Sequence, residues 1–95
     1  MSVYLIANLT IHDRERYAQY EKGFMEIFQQ FQGEAVAVDE AQEVLEGDYD
    51  CTRTVILRFP DREAAHAWYD SEAYRELAKH RFAASSGNAL IVKGL

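Results

Sequence analysis

Only one cysteine, Cys51, occurs in the chain, so no internal disulfide can brace the fold, and a reducing compartment is expected. Proline is as scarce: Pro60 stands alone, marking the one place where a ring blocks strand pairing outright. Basic residues are few, 10 against 16 acidic ones, for a net charge of −6. The acidic residues are spread along the chain and no basic face can be assembled, which argues against nucleic acid as a partner. Long apolar runs are missing too. The opening stretch has no basic leader and its apolar run breaks at Asn8, so neither signal peptide nor membrane span is read there. A cytoplasmic protein with no membrane partner is the expectation.

Chemistry-bearing motifs are equally sparse. His12, His66 and His80 stand fourteen or more residues apart with no metal-ligand spacing among them, so no metal site is expected. No glycine-rich phosphate loop and no Gly-x-Ser-x-Gly elbow occurs, hence no cofactor is expected. Paired carboxylates such as Glu43 with Glu46 and Asp48 with Asp50 fall in turn-rich sequence and read as solvated.

What is present is apolar and aromatic. Hydrophobic residues make up 48% of 95 residues, with six tyrosines, five phenylalanines and one tryptophan. That describes a single globular domain, residues 1–95, with one modest core. Val3 to Leu9 alternates as a strand, with Val3, Leu5, Ala7 and Leu9 on an apolar face and Tyr4, Ile6 and Asn8 on a mixed one. Asp13 offers an N-cap to a helix expected to reach Phe31. Tyr17, Tyr20, Phe24, Ile27, Phe28 and Phe31 form its buried stripe at spacings of three and four. Gly23 inside this stripe predicts a bend or a close packing partner, and Gly33 a left-handed stop.

Ala35 to Leu45 reads as an interrupted second strand with a bulge or bend near Asp39–Gln42, and Gly47–Asp50 as a turn. Arg53 to Phe59 is a third strand, Val55, Leu57 and Phe59 making its apolar face. After Pro60, Asp61 caps one helical piece ending near Asp70, and Ser71 caps a second running to about Ala84. Tyr74, Leu77, Ala78 and Phe82 are expected on one side of that second piece. Ser85–Ser86–Gly87 then ends the helix before a last strand, Ala89 to Lys93.

The order β-α-β-β-α-β is a ferredoxin-like α+β fold: a four-stranded antiparallel sheet, order 4-1-3-2, with helices on one face. The mixed faces of the strands are then left bare. Tyr4, Ile6, Ile56 and Ile91 are expected there, with Arg58 and Lys93 near Tyr4, and Asn8 and Thr54 at the other end. A face so apolar predicts a homodimer in which it meets its own copy.

Several stretches together resemble the DUF1330-like family, small proteins of unknown function in the dimeric α+β barrel superfamily. They are Asp13 with Tyr17 and Tyr20, Gly33, Val44–Asp48, Phe59–Pro60, Ala67–Tyr74 and Val92–Leu95. Arg14 departs from the proline often found at that position. The resemblance spans nearly the whole chain and implies a dimer with a cleft between sheet and helices. The superfamily also holds cofactor-independent monooxygenases, decarboxylases and haem enzymes, which shared fold alone does not transfer.

The candidate ligand site combines Trp68, Tyr69, Tyr74, His80 and Arg81 on the helical side with Asn8 and Arg58 on the sheet. Planar aromatic walls and a cation suit a small aromatic or carboxylate-bearing metabolite. A cofactor-free oxidation or isomerisation, with tyrosine or histidine moving the proton, is the expected reaction if there is one. The competing expectation is a non-enzymatic interaction or regulatory module whose aromatics merely fill the core and whose dimer face is its function.

Overall fold

The computed structural model describes residues 1–95. Seven elements follow in order: β1 (Val3–Ile11), α1 (Arg14–Phe28), β2 (Glu34–Asp39), β3 (Arg53–Phe59), α2 (Arg62–Tyr69), α3 (Glu72–Ala84) and β4 (Ser85–Lys93). The strands form one antiparallel sheet in the order β2-β3-β1-β4, the expected topology. The second helical region is in two pieces, as the caps predict: the Asp61 side chain accepts from the Ala64 N–H, and Ser71 Oγ accepts from the Tyr74 N–H. Asp13 caps α1 likewise, accepting from the Arg16 N–H at 3.0 Å. No helix is long and apolar enough to cross a membrane.

Strand β1 alternates buried and half-buried residues along its whole length. Its buried set joins Leu57 and Phe59 from β3 with Tyr17, Tyr20 and Phe28 from α1 and Trp68 and Tyr74 from α2 and α3 in one core. Phe24, Ile27 and Phe31 pack against that core only partly buried. The core is therefore mostly aromatic on its helical side and, Phe59 apart, aliphatic on its sheet side.

Several element ends differ from expectation. Helix α1 stops at Phe28, and Gly33 is not a left-handed cap, since only Gly47 and Gly87 have positive φ. Gly33 is needed for another reason: a Cβ there would lie 2.5 Å from the Phe28 ring and 2.7 Å from the Phe59 ring. Gly23 is a close-packing site, where a Cβ would meet Leu77 Cδ1 at 2.7 Å. Strand β2 is shorter than predicted. Its irregularity lies between Ala35 and Ala37, earlier than Asp39–Gln42, because the polar segment after Asp39 leaves the sheet altogether.

Strand β4 begins at Ser85, immediately after α3, so the Ser-Ser-Gly run both ends the helix and starts the ladder. Ser85 Oγ donates to the Arg81 carbonyl at 2.7 Å, while Ser85, Ser86 and Gly87 pair with Ile11, Thr10 and Leu9. The register also corrects the faces of this strand. Ile91 pairs with Leu5 and Lys93 with Val3, which puts both on the helical side; Leu90 and Val92 join Ile6 and Tyr4 on the bare side. Continuous apolar sequence from Ala89 to Val92 carries no alternation to show this, and a one-residue slip exchanges the faces.

Candidate functional site

A cavity of about 240 Å³ lies between the helices and the sheet, and 15 of its 18 lining residues are hydrophobic. Its floor is made by Leu5, Ala7 and Leu9 of β1 and by Val55 and Leu57 of β3. Its walls are Tyr17, Tyr20 and Phe24 of α1 with Trp68, Tyr69 and Tyr74 at the α2–α3 junction. Exposed Met25 and Val38 mark the open side. Helices α1 and α3 pack on each other, while edge strand β2 is exposed along its whole length.

Trp68 is the hub of the aromatic wall. It is 2% exposed, with ring centroids 4.1 Å from Tyr74, 5.4 Å from Phe28 and 5.7 Å from Phe59. Its indole N–H nonetheless has no hydrogen-bond partner. Such a buried donor is unusual enough to call for an explanation. The aromatic cluster thus both fills the core and walls a space.

Tyr20 and Tyr74 join hydroxyl to hydroxyl at 2.6 Å inside the protein. Burial pushes the Tyr20 phenol well above its ordinary range and raises that of Tyr74, whose shift the neighbouring Arg81 cation opposes. Both are protonated donors at neutral pH. Arg81 is itself 9% exposed, with its guanidinium carbon 6.0 Å from the Tyr20 ring centroid and 4.6 Å from that of Phe82. Position 81 continues the inward stripe of Tyr74 and Ala78, whereas Phe82, expected to face inward, is 61% exposed. The helix therefore places a cation in the core and a phenylalanine in water.

Arg53 approaches from the sheet side. Its guanidinium bonds Glu40 at 2.8 Å, contacts Glu21 at 3.3 Å and sits 5.4 Å from the Tyr17 ring centroid. Arg53 and then Arg14 hold the Glu40 carboxyl below its ordinary range. The Arg53 Nε is buried without a partner.

The seven residues predicted to form one site fall in three places. Trp68, Tyr69, Tyr74 and Arg81 line the cavity together. His80 does not line it: its Nδ1 accepts from Arg16 Nε at 2.7 Å, tying α3 to α1. Asn8 and Arg58 lie on the opposite face of the sheet, since both belong to the alternate set of their strands. There Asn8 Oδ1 accepts from Tyr49 at 2.9 Å and Thr54 at 3.0 Å, pinning the segment after β2. Arg58 pairs with Glu34. Lys93 does not share the side of Arg58 and Tyr4.

Tyr17, Tyr20, Glu21 and Arg53 were absent from the predicted site. The tyrosines read as core stripe, which they also are. Arg53 was legible: it is two residues before Val55, and the period-2 rule puts it under the helices. No three His, Cys, Asp or Glu side chains converge with metal-binding geometry.

The family model described as Domain of unknown function (DUF1330) matches residues 2–95. The chain belongs to the DUF1330 family. No curated protein matches its sequence. Among solved structures, a protein of unknown function from Rhodopseudomonas palustris is similar, with TM-score 0.85, 21% identity, and coverage of 99% of this chain and 82% of that one. SnoaB, a cofactor-independent oxygenase from Streptomyces nogalater, superposes with TM-score 0.72 at 15% identity, over 99% of this chain and 93% of its own. An ethyl tert-butyl ether D family protein from Bacillus halodurans gives 0.65 at 13% identity over 100% of both chains. At such identities these likenesses fix the α+β fold that the DUF1330 chain shares, and nothing about its chemistry.

Proposed function

We propose that this protein binds a small aromatic or carboxylate-bearing metabolite in the cavity between helices and sheet, and acts on it, if it acts, without a resident cofactor. The cavity carries the reading. It is larger than the roughly 150 Å³ engineered void that takes benzene and has room for a substituted ring. Its lining also has the character of a ligand pocket, mostly apolar with a few polar groups. The fold shared with a cofactor-independent oxygenase is compatible with cofactor-free chemistry.

The site's protonation favours holding a ligand over abstracting a proton from it. Its tyrosines are kept protonated by burial, and its one carboxylate, Glu21, contacts Arg53. His80 is engaged elsewhere. If a reaction occurs, the Tyr20–Tyr74 pair is suited to donating a proton or hydrogen bond to developing negative charge on oxygen.

Trp68 is the only tryptophan, so its fluorescence reports the cavity directly. Titration with monocyclic and bicyclic aromatic acids and their amides is expected to give a saturable change in emission; a flat response to all of them would defeat the reading. Trp68→Phe removes an indole N–H that bonds nothing in the protein. It is therefore expected to weaken binding measured by calorimetry more than it lowers the thermal midpoint, and the reverse would return the tryptophan to a packing role alone.

The bare side of the sheet supports a second reading, self-association into a homodimer. Tyr4, Ile6, Ile56, Leu90 and Val92 share that side by register, and Leu90 is 46% exposed. A module acting through this face alone, without a ligand, is the competing function.

A further inference from the structure

The polar groups of the cavity are unbalanced in two ways, and both point to the same kind of ligand. The first imbalance is in charge. Arg53 is compensated by Glu40 and Glu21, but Arg81 forms no ion pair with any carboxylate despite its burial. Its neighbours are phenol and phenyl groups. A buried cation without a counter-ion is costly, and it persists where something else supplies the negative charge.

The second imbalance is in hydrogen-bond donors. The Tyr20 and Tyr74 hydroxyls carry two protons between them and share one mutual bond, so whichever donates, one proton still needs an acceptor. Arginine offers only donors. The indole N–H of Trp68 and the Nε–H of Arg53 are buried and unpartnered as well. Glu21, the one carboxylate on the lining, is engaged by Arg53.

We infer that the cavity selects a monoanionic ligand, an aromatic carboxylate or enolate, whose charged oxygens are held at Arg81 and the Tyr20–Tyr74 pair and not at Arg53. This inference rests on the cavity being a ligand site and specifies which molecules it admits. The apolar remainder of the ligand faces Trp68, Phe24 and the sheet floor. A neutral amide of the same shape brings its own N–H groups into a site with surplus donors, and it leaves Arg81 uncompensated.

The experiment is isothermal titration calorimetry of benzoate, trans-cinnamate and 2-naphthoate, each beside its primary amide, on the wild-type protein and on Arg81→Met, Arg81→Lys and Arg53→Met. The acid is expected to bind about tenfold or more tighter than its amide to wild type, as a charge-assisted contact implies. Arg81→Met should erase that preference, chiefly by weakening the acid. Arg81→Lys should restore part of it, and Arg53→Met, which also frees the Glu21 carboxylate on the lining, should keep more of it than Arg81→Met does. Circular dichroism checks that each variant is folded; should Arg81→Met fail to fold, the wild-type acid-to-amide ratio and the lysine variant decide the matter. Equal binding of acid and amide to wild type, or a preference lost with Arg53 and kept without Arg81, would overturn the anion assignment and leave the ligand site standing. Binding of no member of either series would overturn the site itself.

Discussion

Arg81 and Phe82 show how much one helical position decides. A stripe of Tyr74, Leu77, Ala78 and Phe82 satisfies the three-and-four spacing on α3, but so does Tyr74, Ala78 and Arg81, and hydrophobicity favours the first. The second is observed. Their chemistry groups Trp68, Tyr69, Tyr74 and Arg81 in the sequence, and all four line one cavity, while strand alternation alone puts Asn8 and Arg58 on the opposite face of the sheet. The tyrosine pair makes a testable prediction at this scale. Burial raises the Tyr20 and Tyr74 phenols above their ordinary value of 10.0, so well below that pH folded and unfolded chains are equally protonated at these groups. Above it the unfolded chain releases protons that the folded one keeps, and stability falls as pH rises. Chemical denaturation across the alkaline range should show Tyr20→Phe losing less stability than wild type between neutral and alkaline pH. At neutral pH the same variant should be less stable by about 1 kcal/mol, the worth of one hydrogen bond.

Among the elements, existence and order were legible and ends were not. Capping residues fixed the starts of α1, α2 and α3, because a side-chain oxygen at an N-cap has a local job. The stops depended on distant partners. Gly33 answers to the rings of Phe28 and Phe59, and the early start of β4 depends on ladder pairing with Ile11, Thr10 and Leu9, neither of which a local pattern carries. Gly87 is the sharpest case. It combines φ of 145° with a backbone approach so close that a Cβ would stand 2.0 Å from the Asn8 carbonyl oxygen. Gly87→Ala must therefore push β4 away from β1, and a loss of about 2–4 kcal/mol is expected in urea unfolding. An unchanged midpoint would mean that the ladder tolerates opening at this register.

At the scale of the whole molecule, two layers measure 33 × 32 × 15 Å, and one broad side of the sheet has no helical cover. The topology followed from the sequence because each strand-helix boundary was punctuated; the composition of the uncovered side followed for β1 and β3 but not for β4. With Leu90 and Val92 in place of Ile91 and Lys93, that side is more apolar than expected and loses one cation. Sedimentation at micromolar concentration is expected to give a species of twice 10.9 kDa. Leu90→Glu, which places like charges face to face across a two-fold contact, should shift it to monomer. A monomeric wild type would reject self-association through this side.

The central position of β1 also governs how the chain reaches its native state. β1 precedes both of its neighbours, β3 and β4, in the chain, so its backbone groups wait for residues 53–59 on one flank and 85–93 on the other. Every ladder that β1 joins closes a long loop, which is the arrangement that slows folding. A growing chain on the ribosome therefore holds an alternating, aggregation-prone strand open until nearly all of these residues have emerged. The time between making β1 and making β4 is the interval in which this protein is most exposed to chaperones and to misassembly.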